Sequence, residues 1–389
     1  MKKVVQFGAG NIGRGFLGQL FYESGYEIVF VEIRNEIINL LNQKRSYTLR
    51  IIGDKPYEIV IKNIRCVNAR DADTVAGEIS TASLLATAVG ANTLRFVAPL
   101  IARGFEKRIK NGNFSPLNII ICENLMNVRK IFKEMVHESL GISYQKYADE
   151  KLGFVEAVVS RMVPVIPVEL SSTDPLLILA EAYKELPVDK LGFKGEIPKI
   201  EGMKPIDSFH AYEERKLFTH NAGHAIAAYL GYKKGYTYIY ESVSDQEIRN
   251  VVLGAIMNES GQALIKKHSF NPVDYQSHVN DLIHRFSNKA LGDTVVRVGK
   301  DPIRKLGADD RLIGGARLAL EYGIKPVNFL KGIKAALTYD NSGDREAMEL
   351  QLLLKTRGLD TVLQEICSLA PGEKLFDLLI KDCLDKEVP

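Results

Sequence analysis

The sequence lacks the features that would set it apart from ordinary globular proteins: clustered cysteines, excess charge, long apolar runs and repeats. Its four cysteines lie far apart, with no CxxC pair and no histidine at zinc-ligand spacing. They are Cys66, Cys122, Cys367 and Cys383. We therefore expect buried, reduced thiols, and neither a disulfide framework nor a bound metal.

Charge and hydrophobicity exclude further classes of protein. The 51 Lys and Arg residues nearly balance the 48 Asp and Glu residues, and a net charge of +3 is too small to indicate a nucleic-acid or membrane-surface partner. The N-terminal apolar stretch is interrupted by Gln6 and by glycines, so it is too short for a signal peptide or a membrane span. The sequence predicts a cytoplasmic protein, and it leaves open a monomer or a small homo-oligomer.

The 389 residues are enough for two domains, and the apolar segments change character near the middle. In the first half, short β-rich runs alternate with helical patterns, which predicts a doubly wound parallel sheet. A proline-rich extension over residues 164–205 leads into longer helical patterns. We predict an α/β protein with an NAD-binding Rossmann-type domain over residues 1–200 and a mainly α-helical substrate and catalytic domain over residues 201–389.

Several predicted helices have clear bounds in the sequence. One of them follows a capping box that begins at Ser244. The helical patterns cover residues 35–44, 94–110, 207–229, 245–267, 328–337 and 345–354.

A glycine-rich turn follows the first predicted strand, KVVQF. Gly8, Gly10 and Gly13 form a GxGxxG pattern between this strand and a helical segment. Such glycines allow the tight bend, the approach of a pyrophosphate and the close packing of helix on strand, while the helix N-terminus favours anions. The next predicted strand ends at Glu32, nineteen residues after Gly13, where a carboxylate binds the adenosine ribose in this type of site.

This pattern predicts a dinucleotide cofactor and favours NAD over NADP, because Glu32 would repel a ribose 2′-phosphate. Arg34 would partly offset that repulsion, so the preference is a matter of degree. The ends of later strands should line the same crevice, and Asn124, after one of them, would lie towards the nicotinamide. The predicted cofactor contacts are Gly8, Ala9, Gly10, Asn11, Ile12, Gly13, Glu32, Thr87 and Val89.

A second group of polar residues lies in the predicted helix over residues 207–229. At about 100° per residue, Lys216, Asn221 and His224 project at roughly 0°, 140° and 80°, so they share one broad face with His224 in the middle. His220, at about 40°, shares that face. Spacing alone favours an ordinary solvated face, unless the face meets a cofactor crevice.

Three segments together resemble the polyol-specific long-chain dehydrogenases. They are GAGNIGRGFLGQL at the N-terminus, CENLMN after a predicted strand, and the KxxxxNxxH pattern in KLFTHNAGH. The chain length and the segment RVGKDPIRKLGADDRL are similar to family members that act on mannitol 1-phosphate, and the resemblance covers nearly the whole chain. It departs from the family at Ser160, where relatives commonly have Asp.

The resemblance implies a reversible, NAD-dependent and metal-independent oxidation of D-mannitol 1-phosphate at C5 to D-fructose 6-phosphate. Lys216 then corresponds to the general base, which has to be neutral to accept the hydroxyl proton. Asn221 and His224 correspond to residues that hold the reacting oxygen. Asn124 corresponds to an asparagine near the same oxygen.

A phosphorylated substrate needs a cation at its far end. The densest basic stretch of the helical half predicts Arg297, Arg304 and Lys305 as phosphate ligands, although a solvated surface cluster fits each of them equally well. Two other functions remain open. One is a hexuronate or unphosphorylated polyol oxidoreductase of the same family, which would need a cation for a carboxylate or none. The other is a non-enzymatic NAD(H)-sensing module, which has no use for the KxxxxNxxH residues.

Overall fold

The computed structural model describes residues 2–125 and 127–384. Met126, within the CENLMN segment, lies outside the described residues, as does the side chain of Cys383. The other three cysteines are buried free thiols. The chain forms two compact units, the first ending at Phe209 and the second beginning at His210. The predicted boundary after residue 200 falls within the first unit.

The first unit contains two kinds of β-sheet, a large parallel one and two small ones. The strands are β1 (Lys3–Phe7), β2 (Glu27–Glu32), β3 (Ser46–Ile52), β4 (Tyr57–Lys62), β5 (Ile64–Asn68), β6 (Leu84–Thr87), β7 (Leu117–Ile121), β8 (Leu152–Glu156), β9 (Ile178–Glu181), β10 (Leu186–Asp189) and β11 (Met203–Ile206). The helices are α1 (Gly18–Glu23), α2 (Asn35–Lys44), α3 (Ala72–Ser80), α4 (Leu94–Lys110), α5 (Val128–Ser139), α6 (Ile142–Lys151) and α7 (Val168–Thr173).

The large sheet has the strand order β5-β2-β1-β6-β7-β8, with every neighbouring pair parallel. Chain order reverses between β1 and β6, and ligands of open α/β sheets bind at the carboxyl ends of the strands beside such a reversal. The predicted Rossmann-type fold is confirmed, and the predicted helices over residues 35–44 and 94–110 are α2 and α4.

Successive residues of the central strands pack into two different apolar clusters. Val4 and Ile28 belong to one cluster, while Val5 and Val29 belong to the other. Because successive side chains of a strand point to opposite faces, both faces of the sheet are covered, as a doubly wound fold requires.

The small sheets include a hairpin that the sequence analysis did not predict. β3 pairs with β4 in antiparallel orientation and with β9 in parallel orientation, so the hairpin is tied to the proline-rich extension. β10 and β11, also in the extension, form a parallel pair.

The second unit is helical, as predicted. Its helices are α8 (Phe209–Arg215), α9 (Ala222–Lys233), α10 (Ile239–Ser244), α11 (Gln246–Leu253), α12 (Ser260–His268), α13 (Pro272–Phe286), α14 (Val295–Gly299), α15 (Pro302–Lys305), α16 (Ile313–Glu321), α17 (Val327–Leu337), α18 (Arg345–Glu365) and α19 (Lys374–Leu384). Among the described residues, no helix is both long and apolar enough to cross a bilayer.

Two helices that the sequence predicts as continuous are each interrupted by a π turn, in which hydrogen bonds reach back five residues instead of four. The first π turn is Lys216–Asn221 and the second is Gly254–Glu259. The capping box prediction is also wrong in its first residue. Asp245 caps α11 by accepting from two backbone N–H groups, whereas the Ser244 hydroxyl donates to the Tyr240 carbonyl.

Candidate active site

The glycine-rich turn connects β1 to a third π turn, Gly13–Leu17, which continues into α1. Gly8 has a φ of +91°, in the region that favours glycine. A Cβ atom on Gly13 would collide with the Gly8 carbonyl, so this glycine permits the contact of helix and turn. A Cβ atom on Gly10 would have no neighbour within 4 Å. The turn is therefore closely packed underneath and open at Gly10, where a pyrophosphate has to approach the backbone.

A cavity of about 380 Å³ lies next to this turn, at the carboxyl ends of β1, β2 and β6. Its lining includes Gly10, Glu32 and Val89, which the sequence analysis predicted as cofactor contacts, and also Arg70 and Phe96, which it did not. Arg70 lies in the turn after β5 and Phe96 in the first turn of α4, and neither segment carries a sequence pattern for nucleotide binding. The open turn, the cavity and the acidic residue fit a dinucleotide.

Glu32 is fixed at the edge of this cavity by a set of hydrogen bonds. Its carboxylate accepts from the backbone N–H groups of Ile33 at 2.9 Å, Arg34 at 3.2 Å and Ala9 at 3.3 Å. It also accepts from the Arg34 guanidinium at 3.0 Å. Burial by itself raises the pKa of Glu32, but the hydrogen bonds from Arg34 and the backbone outweigh it and lower that pKa below its usual value. The side chain is therefore a carboxylate at neutral pH.

Thr87 and Val89 flank the turn after β6. Thr87 is fully buried, whereas Val89 lines the cavity. The backbone N–H groups of Val89 and Gly90 donate to the Glu123 carboxylate at 2.9 and 2.8 Å. This role of Glu123 was not predicted, although a carboxylate directly after a buried strand is a visible signal in the sequence. Asn124, the next residue, is exposed.

The remaining predicted contacts lie in the turn itself. Ala9 is buried, Ile12 is half-buried and Asn11 is exposed.

In the second unit, Lys216 and Asn221 are the first and last residues of a π turn. The Ala222 N–H donates to the Leu217 carbonyl, five residues back. Residues five apart lie roughly 140° apart on an α-helix, and the wider π turn reduces that angle. The helical-wheel estimate for a regular α-helix was therefore wrong, and the π turn brings Lys216 and Asn221 closer to one side.

Side chains from neighbouring helices support this π turn. The Ser260 hydroxyl donates to the Phe218 carbonyl at 2.7 Å. The Tyr275 hydroxyl lies 2.5 Å from Oγ1 of Thr219 and donates to the Ile256 carbonyl at 3.3 Å. Since Ile256 belongs to the π turn Gly254–Glu259, Tyr275 links the two turns.

His224 is held between an aromatic ring and a carboxylate. Its ring stacks on Phe286, with centroids 4.7 Å apart and planes 13° apart. Its Nε2 lies 3.1 Å from Oδ2 of Asp293, within ion-pair distance, although the ring N–H direction is not aligned as a hydrogen bond. Asp293 is 8% exposed and its Oδ1 accepts from Nε of Arg297 at 2.7 Å. Burial by itself raises the pKa of Asp293, but His224 and Arg297 outweigh it and lower that pKa.

His220 is buried next to His224 and Phe286, so it does not lie on the exposed face that the helical wheel predicted. It is 7% exposed, and its ring packs edge-on against Phe286. Burial and the positive charge of Arg285 hold the pKa of His220 well below its usual value, so the ring is neutral at physiological pH.

The three predicted phosphate ligands already have partners within the second unit. Arg297 pairs with Asp293, as described, and its side chain is half exposed. Arg304 is 47% exposed, with Nη1 3.5 Å from Oδ2 of Asp310. Lys305 is 5% exposed and donates to the Lys300 carbonyl. Burial, with the nearby charges of Arg311 and Arg304, lowers the pKa of Lys305 to about 7.

The π turn and the start of α9 offer an amine, an amide and an imidazole within nine residues. Such groups can accept a proton and hydrogen-bond an oxygen on which charge develops. In the part of the chain that the structure describes, no group of three or more His, Cys, Asp or Glu side chains is placed to hold a metal ion.

Comparisons with known proteins agree with these two units. The mannitol dehydrogenase Rossmann domain matches residues 2–202, and the mannitol dehydrogenase C-terminal domain matches residues 208–365. A mannitol-1-phosphate 5-dehydrogenase of Buchnera aphidicola subsp. Acyrthosiphon pisum (strain APS) is 38% identical over 388 residues, which cover 99% of each chain. A second such enzyme, from strain Tuc7, gives the same identity and coverage.

Two solved structures share the fold at low sequence identity. Pseudomonas fluorescens mannitol 2-dehydrogenase, in a ternary complex with NAD and D-mannitol, has a TM-score of 0.77 at 16% identity and covers 99% of this chain and 91% of its own. A substrate-free D-sorbitol dehydrogenase has a TM-score of 0.81 at 16% identity and covers 98% of this chain and 93% of its own. With both domains matched over most of its length, the chain belongs to the mannitol dehydrogenase family and is an oxidoreductase.

Proposed function

We propose that this protein catalyses the reversible, NAD-dependent oxidation of D-mannitol 1-phosphate at C5 to D-fructose 6-phosphate without a metal ion. The observation that carries the proposal is the π turn with Lys216 and Asn221 at its two ends, followed by His224 beside a buried carboxylate. The choice of a phosphorylated substrate is supported by the 38% identity to the Buchnera mannitol-1-phosphate 5-dehydrogenases.

The first unit would hold the cofactor. The open backbone at Gly10 and the amides of the turn would hold its pyrophosphate, and Glu32 would accept hydrogen bonds from the adenosine ribose. When bound, NAD accepts a hydride from the carbinol carbon. Thr87 would act only through the backbone, because its side chain is fully buried. Val89 lines the cavity and would contact the cofactor directly.

The side chains of the KxxxxNxxH segment would carry out the proton chemistry. Lys216 accepts the hydroxyl proton as general base. The Asn221 amide would donate a hydrogen bond to the oxygen as it becomes a carbonyl, and the family resemblance gives Asn124 the same role. His224 would hydrogen-bond a hydroxyl of the substrate. The two amides, as donors to the reacting oxygen, would replace the Lewis acid that zinc supplies in other alcohol dehydrogenases.

The substrate phosphate would bind to the basic segment. Arg297 and Arg304 are both about half exposed, and Arg304 has the weaker contacts to carboxylates, at 3.5 Å from Asp310 and 3.9 Å from Asp301. Lys305 is buried and would contribute least unless the phosphate itself keeps it charged. We therefore rank Arg304 first.

Substrate profiling tests the proposed function. NADH formation should be fastest with mannitol 1-phosphate and much slower with mannitol, sorbitol 6-phosphate and altronate, and a metal chelator should leave the rate unchanged. A preference for altronate or mannitol would favour one of the other oxidoreductase activities. NADH binding without turnover of any of these compounds would favour a sensing module.

A variant of the basic segment tests the phosphate site. Arg304→Ala should lower kcat/KM for mannitol 1-phosphate by roughly 10- to 150-fold, the size of one charge-assisted hydrogen bond, and should hardly change the slow reaction with mannitol. Arg357→Ala, at an arginine of similar exposure that pairs with Glu365, is the matched control. Equal losses on both substrates would mean that Arg304 supports the fold and does not bind phosphate.

A further inference from the structure

Asp293 is the charged residue in contact with His224, and neither the sequence motif nor the family comparison gives it a role. Its backbone is fixed, because its carbonyl accepts from the Ile239 N–H at 2.8 Å and the next residue, Thr294, caps α14. Its carboxylate is buried, with one oxygen near His224 and the other bound to Arg297. The carboxylate therefore has a defined position relative to the imidazole.

We propose that Asp293 is a positioning residue, which holds the imidazole of His224 with its proton on Nε2 and so leaves Nδ1 as the acceptor for a substrate hydroxyl. This inference rests on the proposed function, since it specifies how His224 meets a polyol.

The reason is the chemistry of the two partners. A carboxylate can only accept hydrogen bonds, so the imidazole nitrogen that faces Asp293 is the one that carries a proton. A neutral ring with its proton on Nε2 has a lone pair on Nδ1. Carboxylates fix the tautomer and the orientation of histidines in this way in many sites where the other nitrogen binds a ligand.

Two further contacts keep the pair in place. The stacking of His224 on Phe286 restricts rotation of the imidazole, and Arg297 donates to the carboxylate oxygen that does not face His224. The imperfect alignment at 3.1 Å is compatible with this role, because such contacts commonly tighten when a substrate binds.

The test measures the tautomer directly, in the full chain labelled with ¹⁵N-histidine. A long-range ¹H–¹⁵N correlation spectrum should show a protonated Nε2 and an unprotonated Nδ1 for His224, assigned by the loss of its signals in His224→Gln. In Asp293→Asn, whose amide both donates and accepts, the signals should move towards a mixture of the two tautomers. Asp340→Asn, at an exposed carboxylate that accepts from Tyr232, is the matched control and should change nothing at His224.

A second variant separates the loss of the carboxylate from a general distortion of the site. Arg297→Gln keeps the carboxylate and should keep the Nε2–H tautomer, even if its substrate binding is weakened. The inference is overturned if wild-type His224 carries its proton on Nδ1, or if Asp293→Asn leaves the tautomer unchanged while the rest of the spectrum stays native.

Kinetics provide the second measurement. Asp293→Asn should raise KM for mannitol 1-phosphate about 3- to 10-fold, the size of one neutral hydrogen bond, and leave KM for NAD unchanged. A fall in kcat with an unchanged KM would contradict the assigned acceptor role. If the wild type turned over no polyol phosphate, the proposed function would fail, whereas the spectra would still decide the role of Asp293.

Discussion

The cofactor turn of the first unit and the KxxxxNxxH segment of the second both adjoin or include a π turn. They differ in the atoms that would meet a ligand, which are backbone atoms in the first and side-chain atoms in the second. At Gly8, Gly10 and Gly13 the side chains are absent, so the proposed cofactor site is built from the backbone itself. At Lys216, Asn221 and His224 the proposed functional atoms are at the ends of side chains, and the backbone sets their direction.

This difference determines how each site responds to change. A site built from backbone atoms depends on few side chains, but a larger side chain at one of its glycines would disturb it. Substitutions at these glycines should therefore change cofactor affinity directly. A side-chain site depends on the support of each functional group, which comes from Asp293, Phe286, Ser260 and Tyr275. Variants of the first site should therefore change cofactor affinity, and variants of the second should change turnover or substrate binding.

The largest effect is expected at Lys216. Lys216→Met should lose roughly 10²-fold or more in turnover, because the proposed general base is removed, while NADH binding stays intact. Turnover is measured with saturating NAD and mannitol 1-phosphate, and binding by NADH fluorescence titration. Near-normal turnover would show that another group accepts the proton.

The backbone site should respond to a single methyl group. Gly13→Ala should weaken NADH binding by about 10- to 100-fold, because the new Cβ collides with the Gly8 carbonyl and overpacking of this kind costs about 1–3 kcal/mol. Calorimetric titration gives the dissociation constant. Gly77→Ala, at a helical glycine with only the end of Lys107 nearby, is the control and should bind NADH normally. Unchanged binding in Gly13→Ala would mean that the turn adapts easily.

Glu32 is an acidic side chain that lines the proposed cofactor site. Glu32→Gln should reduce the preference for NAD over NADP by about tenfold, because the repulsion of a 2′-phosphate is removed and Arg34 loses its charged partner. The ratio of kcat/KM values for the two cofactors measures this preference. Glu36→Gln, at an exposed carboxylate in the first turn of α2, should leave the ratio unchanged. A wild-type preference for NADP would contradict the role of Glu32.

The smallest expected effect concerns stability. Lys305 has a folded-state pKa of about 7, below the usual value near 10.4, so above pH 7 the unfolded chain binds more protons than the folded chain. The contribution of Lys305 to the free energy of unfolding should therefore rise with pH, by about 1 kcal/mol between pH 7 and 8.

The measurement is urea unfolding of the wild type and Lys305→Met at several pH values. Their difference in unfolding free energy should grow with pH in favour of the wild type, whereas the same comparison with Lys300→Met, at an exposed neighbour, should stay constant. A constant difference for Lys305→Met as well would show that Lys305 stays charged in the folded protein.

Much of the first unit could be predicted from its sequence, because the relevant signals are local. The β1 strand, α2 and the glycine turn have patterns that belong to single segments, and their predicted bounds agree with the structure. The hairpin of β3 and β4 was missed, although the alternating burial of β3 matches its sequence. Its position depends on pairing with β9, more than a hundred residues away, and no local pattern specifies that partner.

The candidate active site of the second unit was predictable in its residues but not in its geometry. The KxxxxNxxH pattern singled out Lys216, Asn221 and His224 as candidates. A π turn adds one residue to a helical turn without changing the composition of the segment, so the pattern still predicted a regular α-helix. Asp293 was not predicted because it lies far along the chain from His224 and meets it only through tertiary packing.

The link that Tyr275 makes between the two π turns has a consequence for insertions and deletions. Removing one residue between Lys216 and Asn221 would restore an α-helical turn and rotate everything before it by about 100°, with a shift of about 1.5 Å along the axis. The hydroxyl of Tyr275 would then reach Thr219 or Ile256, but not both, unless the second turn lost a residue as well. The lengths of the two segments are therefore coupled, and a shortened variant of one should regain its fold only when the other is shortened too.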